Sequence, residues 1–300
     1  MATSDNSKWE SPVAYSRTVF IDELPKAFAK DPRYIPDTLQ GSIKFLEMIE
    51  KCREITDIRW AAYMIATTMW ETTTPRTVER AALNKKGAPI VSKKTGEVVT
   101  VKSTKWQMAM EPADEVGHGK GRRYYEPVKI KILPDDTTQV TEHDGDQFTV
   151  GLGGKITKLN KAAKEGAVAG VAASPVYEKD DGTEHVYYGR GYVQLTWWSN
   201  YVRAGVALGI GVGLLVDPDL VKTPEVAFKI MALGMLTGQI YANGHKFSDY
   251  ISGAKCDYKG ARKMVNGNDH AADIEALAKK LEGILLKAKA PAALSVPTSL

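Results

Sequence analysis

The 300-residue chain contains only two cysteines, Cys52 and Cys256. Two cannot form a disulfide framework, and their separation fits no zinc-site spacing. Both are read as free thiols of a protein made in a reducing compartment. Charge of one sign is also scarce. Forty basic against 36 acidic residues leave a formal net charge of +4, mild attraction for anionic polymers without the concentrated field of a nucleic-acid binder. No nucleic-acid partner is expected. Long apolar runs are missing too: residues 204–216, the most lipid-like stretch, are too short to cross a hydrocarbon core of about 30 Å, so no membrane span is expected. The polar residues 1–17 lack the apolar stretch of a secretory signal. His118, His143, His185, His245 and His270 show no ligand-like clustering, so neither metal nor other cofactor is expected. No internal repeat is detectable.

Hydrophobic residues make up 43% of the chain, enough at this length to bury a substantial core in one large domain or two smaller ones. From Pro36 to Glu54, Leu39, Ile43, Leu46 and Ile49 fall on one face of an amphipathic helix. Asp57 offers an N-cap to the run IRWAAYMIATTMW, which should end near Glu71 because Thr72 to Thr74 and Pro75 discourage continuation. Thr223, Pro224 and Glu225 mark the start of a core helix over Val226 to Ile240. A last helix is expected over Ala271 to Ala288. Residues 1–35 are set apart as an N-terminal segment and 289–300 as a flexible tail.

Two stretches break the helical pattern and read as β-containing insertions. The first, at about 84–105, has two β-branched runs joined through Lys94, Thr95 and Gly96, a hairpin signal. The second, at about 127–184, carries VKIKIL and QFTV strands around Pro134, Asp135 and Asp136. Lys155, Lys158, Lys161 and Lys164 recur every third residue there, a solvated helix face or a basic stripe toward an anionic glycan. The small-residue segment GAVAGVAAS is assigned no structure.

Glu71 closes an otherwise apolar helix, where partial burial would keep it protonated, as a general acid requires. An ordinary helix-terminal glutamate gives the same local pattern. Glu111, Asp114 and Glu115 precede a glycine-rich basic loop, GHGKGRR. Tyr187 to Tyr201, YYGRGYVQLTWWSNY, combines aromatic faces with amide and hydroxyl groups, the equipment for stacking on pyranose rings and holding their hydroxyls.

YYGRGYVQLTWWSNY resembles the signature of glycoside hydrolase family 19 chitinases and related phage endolysins. WAAYMIATTMWETT resembles the family's helix ending in the catalytic acid, and MEPADEVGHGKGRRY its segment bearing the second carboxylate. DPDLVKTPEVAFKIMALGMLTG, KFSDYI and ARKMVNGNDHAADI resemble the carboxyl-terminal half of the phage-type enzymes. The resemblance implies a mainly α, α+β, lysozyme-like fold with two lobes and a central cleft, spanning residues 36–288 and modified by the two insertions. It makes Glu71 the general acid, Glu115 the general base and Thr196 the residue that orients water. Gln194, Asn200 and Asn266 become substrate-binding residues, and Tyr188 and Arg190 the turn that shapes the cleft.

Trp70 stands where many relatives carry histidine, Ile274 takes the place of an arginine in plant chitinases, and the carboxylates lie 44 positions apart. The implied activity is inverting hydrolysis of β-1,4 bonds. Bacterial peptidoglycan is the first substrate and chitin the second. The protein would be made in a host cytoplasm and act at the bacterial cell wall. A glycan-binding virion or tail protein with weak or no hydrolysis, its insertions contacting virion partners, is the rival class.

Overall fold

The structure, a computed structural model, describes residues 10–11, 14–151, 153–159, 176–177 and 185–289. Its class is α+β and mainly helical, as the sequence implies, and agrees with a lysozyme-like fold. Helix α1 spans Arg17–Phe28, started by the Ser16 side chain accepting from the Val19 amide. Phe20, Leu24 and Phe28, four residues apart, are buried. Ser16 donates its amide to the Ala288 carbonyl at 2.8 Å, so this part of the 1–35 segment is built into the helical body.

Helix α2 (Pro36–Lys51) begins with proline at the first turn, and α3 (Ile58–Glu71) is capped by the Asp57 carboxylate. The buried stripe of α2 runs through Thr38, Ser42, Phe45 and Ile49, rotated from the expected one so that Leu39 and Ile43 lie at its margin. That rotation makes room for a returning strand. A side chain at Gly41 would put its Cβ 2.5 Å from that of Met110, so only glycine admits this approach.

Strands β1 (Thr73–Ala81) and β2 (Thr100–Met108) form an antiparallel ribbon, with Thr73 opposite Met108 and Ala81 opposite Thr100. The sequence places a hairpin at 84–105, but pairing starts immediately after α3. The threonines that stop the helix are β-branched and continue as strand. Beyond Ala81, isolated bridges join Leu83 to Pro89 and Val91 to Val98.

Strand β3 (Ala113–Asp114) leads into the second insertion. There β4 (Lys129–Ile132), β5 (Thr138–Thr141), β6 (Gln147–Val150), β7 (Ile156–Lys158) and β8 (Val176–Tyr177) make an antiparallel sheet ordered β7-β6-β5-β4-β8. Ile130, Val140 and Val150 are buried beneath it. Lys158 sits on β7 and pairs with Asp146, while Lys161, Lys164 and GAVAGVAAS lie outside the described residues. Strand β9 (Arg190–Gly191) returns to pair with β3.

The chain then runs through α4 (Trp198–Ala207), α5 (Gly213–Val216), α6 (Pro224–Thr237), α7 (Phe247–Tyr250), the short pair β10 (Ile251–Ser252) and β11 (Lys255–Cys256), α8 (Tyr258–Ala261) and α9 (Ala271–Ala288). The stretch 204–216 thus resolves into a helix end and a short helix. Thr223 precedes α6 in extended conformation but makes no side-chain cap bond. Helix α9 packs along both α3 and α1, placing the main core between them. Both cysteines are free. Among the described residues, no helix is long and apolar enough to cross a membrane.

The ribbon beyond Ala81 is exposed and contributes little to this core. Replacing residues 82–99 by a short glycine-serine turn between Ala81 and Thr100 should therefore leave a cooperative fold, since halving a loop changes its closure cost by only about 0.6 kcal/mol. Thermal unfolding followed by circular dichroism checks this, and loss of the cooperative transition would place the ribbon in the folding core.

Candidate active site

The last residue of α3 presents Glu71 from a helix whose Ile58 to Met69 are otherwise buried, except Trp60. Its side chain is 14% exposed, and Oε1 accepts a 2.5 Å bond from Nη1 of Arg262, itself 1% exposed. Burial pushes the Glu71 carboxyl above its ordinary value, while the Arg262 guanidinium pulls in the opposite direction without cancelling the rise. Arg262 is steadied by donating Nε to the Asp269 carbonyl at 2.8 Å. Asn266 follows one turn later, its amide on the Arg262 carbonyl and its exposed side chain near Asp269.

Trp70 packs its ring against His270 at 4.6 Å and under the Arg33 guanidinium. Ile274 is fully buried on α9. The cation beside the acid thus comes from Arg262, on the segment between α8 and α9. The quoted motif ARKMVNGN contains it, but nothing in residue spacing separates this arginine from an ordinary surface cation.

Glu115 follows β3 directly. Its amide donates to the Gly189 carbonyl at 2.7 Å, and the Gly189 amide donates back to Oε2 at 3.0 Å. The Tyr124 hydroxyl donates to Oε1 at 2.8 Å. A donor on each oxygen fixes the carboxylate's orientation. Burial and the neighbouring carboxylate push the Tyr124 phenol up to about 12, so it remains a donor throughout the neutral range. Gly189 is required by space: a Cβ there would stand 2.9 Å from Oε1 of Gln194 and 3.3 Å from Cβ of Glu115. Tyr124, at the end of the basic loop, carried no distinguishing signal in the sequence.

The other expected site residues divide between the cleft and the framework behind it. Arg190 is 4% exposed and fully engaged: it pairs with Asp219 at 3.1 Å, donates to the Val186 carbonyl at 2.9 Å and lies 3.6 Å from the ring centre of Tyr188. Its role is to hold the turn. Asp114, the neighbour of Glu115 in the acidic run, faces Lys222 at 3.3 Å and Arg190 at 3.8 Å, committed to the same charge cluster. Gln194 donates Nε2 to the carbonyls of Ala113 and Gly191, tying its loop to β3.

Tyr188, half-buried, stacks on His118 at 4.5 Å. Thr196 is half-buried just before α4, and its carbonyl accepts the Asn200 side-chain amide at 2.9 Å. Asn200 Oδ1 in turn accepts from Arg203. Thus Tyr188, Arg190 and Gln194 gather around the Glu115 strand, Thr196 and Asn200 follow at the start of α4, and Asn266 stands beside Arg262, the partner of Glu71.

The two halves meet through Thr72. Its hydroxyl oxygen accepts from the Met110 amide at 3.1 Å, fixing the strand that runs to Glu115 against the end of α3. Beside Tyr124, a small pocket is lined by Trp197, Trp198, Glu126, Glu142 and Asp144 among others, bringing the β5–β6 turn against the two tryptophans. Glu142, Asp144 and Asp146 lie within 4.8 Å of one another and are the one grouping among the described residues with the span of a metal site. It is remote in sequence from either catalytic candidate, and Asp146 is already paired with Lys158.

The family profile described as chitinase class I matches residues 152–249, about a third of the chain. An acidic 26 kDa endochitinase of Solanum lycopersicum is 50% identical over 54 residues, 18% of this chain and 21% of the relative. Chitinase 8 of Oryza sativa subsp. japonica is 46% identical over 63 residues, 21% of this chain and 23% of the relative. Inactive chitinase-like protein 1 of Hevea brasiliensis is 35% identical over 108 residues, 31% and 32% respectively. The chain thus spans about a fifth to a third of the length of these relatives. No solved structure matches. The similarity is thus to class I chitinases and is confined to part of the chain.

The opposed effects on Glu71 can be measured without turnover. Carboxyl carbon NMR should place its titration above 4.5, and Arg262→Gln should raise it further by removing the cation that favours ionisation. An unchanged or lower midpoint in the variant would show that the guanidinium does not act on this carboxyl.

Proposed function

We propose that this chain hydrolyses a β-1,4-linked amino-sugar polymer by single displacement, with Glu71 as general acid and Glu115 as general base. The observation that carries this reading is the contrast between the two carboxyl groups. Glu71 is buried and raised toward the protonated form, whereas Glu115 is held by one donor on each oxygen. A carboxyl kept toward its protonated form suits the proton donor, and one fixed in orientation suits the acceptor. Arg262 occupies one oxygen of Glu71, leaving the other to deliver the proton to the departing glycosidic oxygen. Glu115 then takes the proton of a water attacking from the opposite face of the sugar, and the Thr196 hydroxyl orients that water.

Tyr188 and Asn200 line the sugar path on the Glu115 side and Asn266 on the Glu71 side. Gln194 and Arg190 act by holding the Glu115 strand. The proposed substrate is bacterial peptidoglycan, on the strength of the likeness of three separate segments to phage-type enzymes. The protein would be made in a host cytoplasm and work at the cell wall. Chitin is the second substrate, favoured by the endochitinase and chitinase names of two relatives. Binding without cleavage is favoured by the inactive name of a third, the second insertion then offering a surface for virion partners.

Incubation with purified peptidoglycan and with chitin, followed by mass spectrometry, decides among these readings. New reducing ends from peptidoglycan support the first, new ends from chitin alone support the second, and an absence of cleavage in both leaves only binding. Glu71→Gln should lower turnover by about 10²- to 10⁴-fold while the protein remains folded. A folded variant with near wild-type turnover would remove Glu71 from the mechanism.

The stereochemistry is a separate check on Glu115. Direct attack by water on a β-linked substrate should release the α-anomer first, visible by proton NMR before mutarotation. Initial release of the β-anomer would indicate retention, and 1,6-anhydro ends would mean that no water attacks.

A further inference from the structure

The β1–β2 ribbon differs in charge and polarity from the rest of the molecule. Between Thr73 and Met108 there are eight Lys or Arg residues and two Glu, a local net of +6 against +4 for the whole chain, so everything outside the ribbon sums to −2. Seven of the thirteen exposed large hydrophobic side chains among the described residues also lie in these 36 positions. Concentration of both features in one projecting element marks an interaction surface.

Within the ribbon the charges are distributed unevenly. Near the base, Arg76 approaches Asp37 and Glu111, and Lys102 pairs with Glu79. At the far end two turns carry Lys85, Lys86, Lys93 and Lys94, none with an ion pair among the described residues. The turns are pinned by their own polar side chains: Asn84 Oδ1 accepts from the Lys86 and Ala88 amides, and Ser92 Oγ from those of Lys94 and Thr95. Backbone bonds from Ala82 to Val99, from Ile90 to Ala82 and from Val99 to Ile90 knit the three short passes of chain together. Leu83, Val91 and Val98 emerge between the lysine pairs, each about half exposed.

We propose that the tip of this ribbon docks on an anionic lipid surface. Lys85, Lys86, Lys93 and Lys94 would meet headgroup phosphates while Leu83, Val91 and Val98 enter the interfacial layer. Four unpaired cations beside exposed aliphatic side chains combine the two terms that bind a peripheral protein to such a membrane. An anionic polysaccharide would satisfy the lysines but offers no phase for the aliphatic groups. A second copy is opposed by the repulsion of two strongly cationic tips. The proposal requires no hydrolysis and stands apart from the assignment of Glu71 and Glu115.

The full chain should co-sediment with vesicles of phosphatidylcholine mixed with phosphatidylglycerol, remain in solution with phosphatidylcholine alone, and dissociate as ionic strength rises. Each lysine near an anionic surface contributes about fivefold in partitioning, so a variant combining K85S, K86S, K93S and K94S should bind several hundredfold more weakly with its thermal transition retained. The double variant V91T and V98T should bind more weakly at unchanged charge. Equal binding to neutral vesicles, undiminished binding of the lysine variant or no association with either vesicle would overturn the proposal. So would full vesicle binding by the valine variant together with equal affinity for soluble polyglutamate, which would identify an acidic polypeptide as the partner chemistry.

Discussion

Closure of the chain at Thr72 is the constraint on which the candidate site depends. The Thr72 hydroxyl donates to the Thr68 carbonyl at 2.8 Å, finishing α3, and its oxygen accepts the Met110 amide. Thr38 on α2 donates to the Met108 carbonyl at 2.6 Å from the other side. The returning strand is thus held between two helices, with Gly41 providing the room. A threonine can serve here because one hydroxyl donates and accepts at once: it adds a second bond to the Thr68 carbonyl, which already accepts the Thr72 amide, and supplies the acceptor for the buried Met110 amide. Glu71 lies one residue before this junction and Glu115 five residues beyond Met110. The separation of 44 positions is therefore taken up by a ribbon that begins and ends at the same place.

Electrostatics completes what closure begins. On one side, a single buried guanidinium moderates a carboxyl that burial would push further toward neutrality. On the other, Arg190 and Lys222 balance Asp114 and Asp219 behind the β3–β9 pair, so the strand bearing Glu115 rests on a neutralised cluster. Of the four only Arg190 is buried, so the cost of losing a carboxylate falls on that desolvated cation. The framework of the site is consequently as charged as its reactive groups.

The sequence disclosed the helical body well because its signals are local. The Asp57 cap, Pro36 at the first turn of α2 and the limits of α9 all appear where apolar periodicity and capping place them. Ribbon length was less legible: helix-stopping threonines identify where α3 ends, but cross-strand pairing of Thr73 and Thr74 with Met108 and Gln107, 35 and 33 positions later, decides that they become strand. Helix α1 is not legible in the same way because Phe20, Leu24 and Phe28 are a short apolar series that Pro25 interrupts. The same distinction separates the site residues. Glu71, Glu115, Thr196 and Asn266 could be named from motif resemblance, whereas Arg262 and Tyr124 acquire meaning only through contacts 191 and 9 residues away. Arg190 lies between these cases: its motif places it in a turn, and only its burial and its bonds to Val186 and Asp219 show how it holds that turn.

A ribbon whose first and last residues face one another has a freely adjustable length. Each additional cross-strand pair extends it by about 3.3 Å while Thr73 and Met108 stay in place, so the nine pairs already present give a reach of roughly 30 Å. Side chains alternate between its two faces, and additions in steps of two pairs preserve which face each residue occupies. The molecule therefore contains a graftable arm, one whose span and cargo selection or design can alter while leaving the distance between the two carboxyl groups untouched.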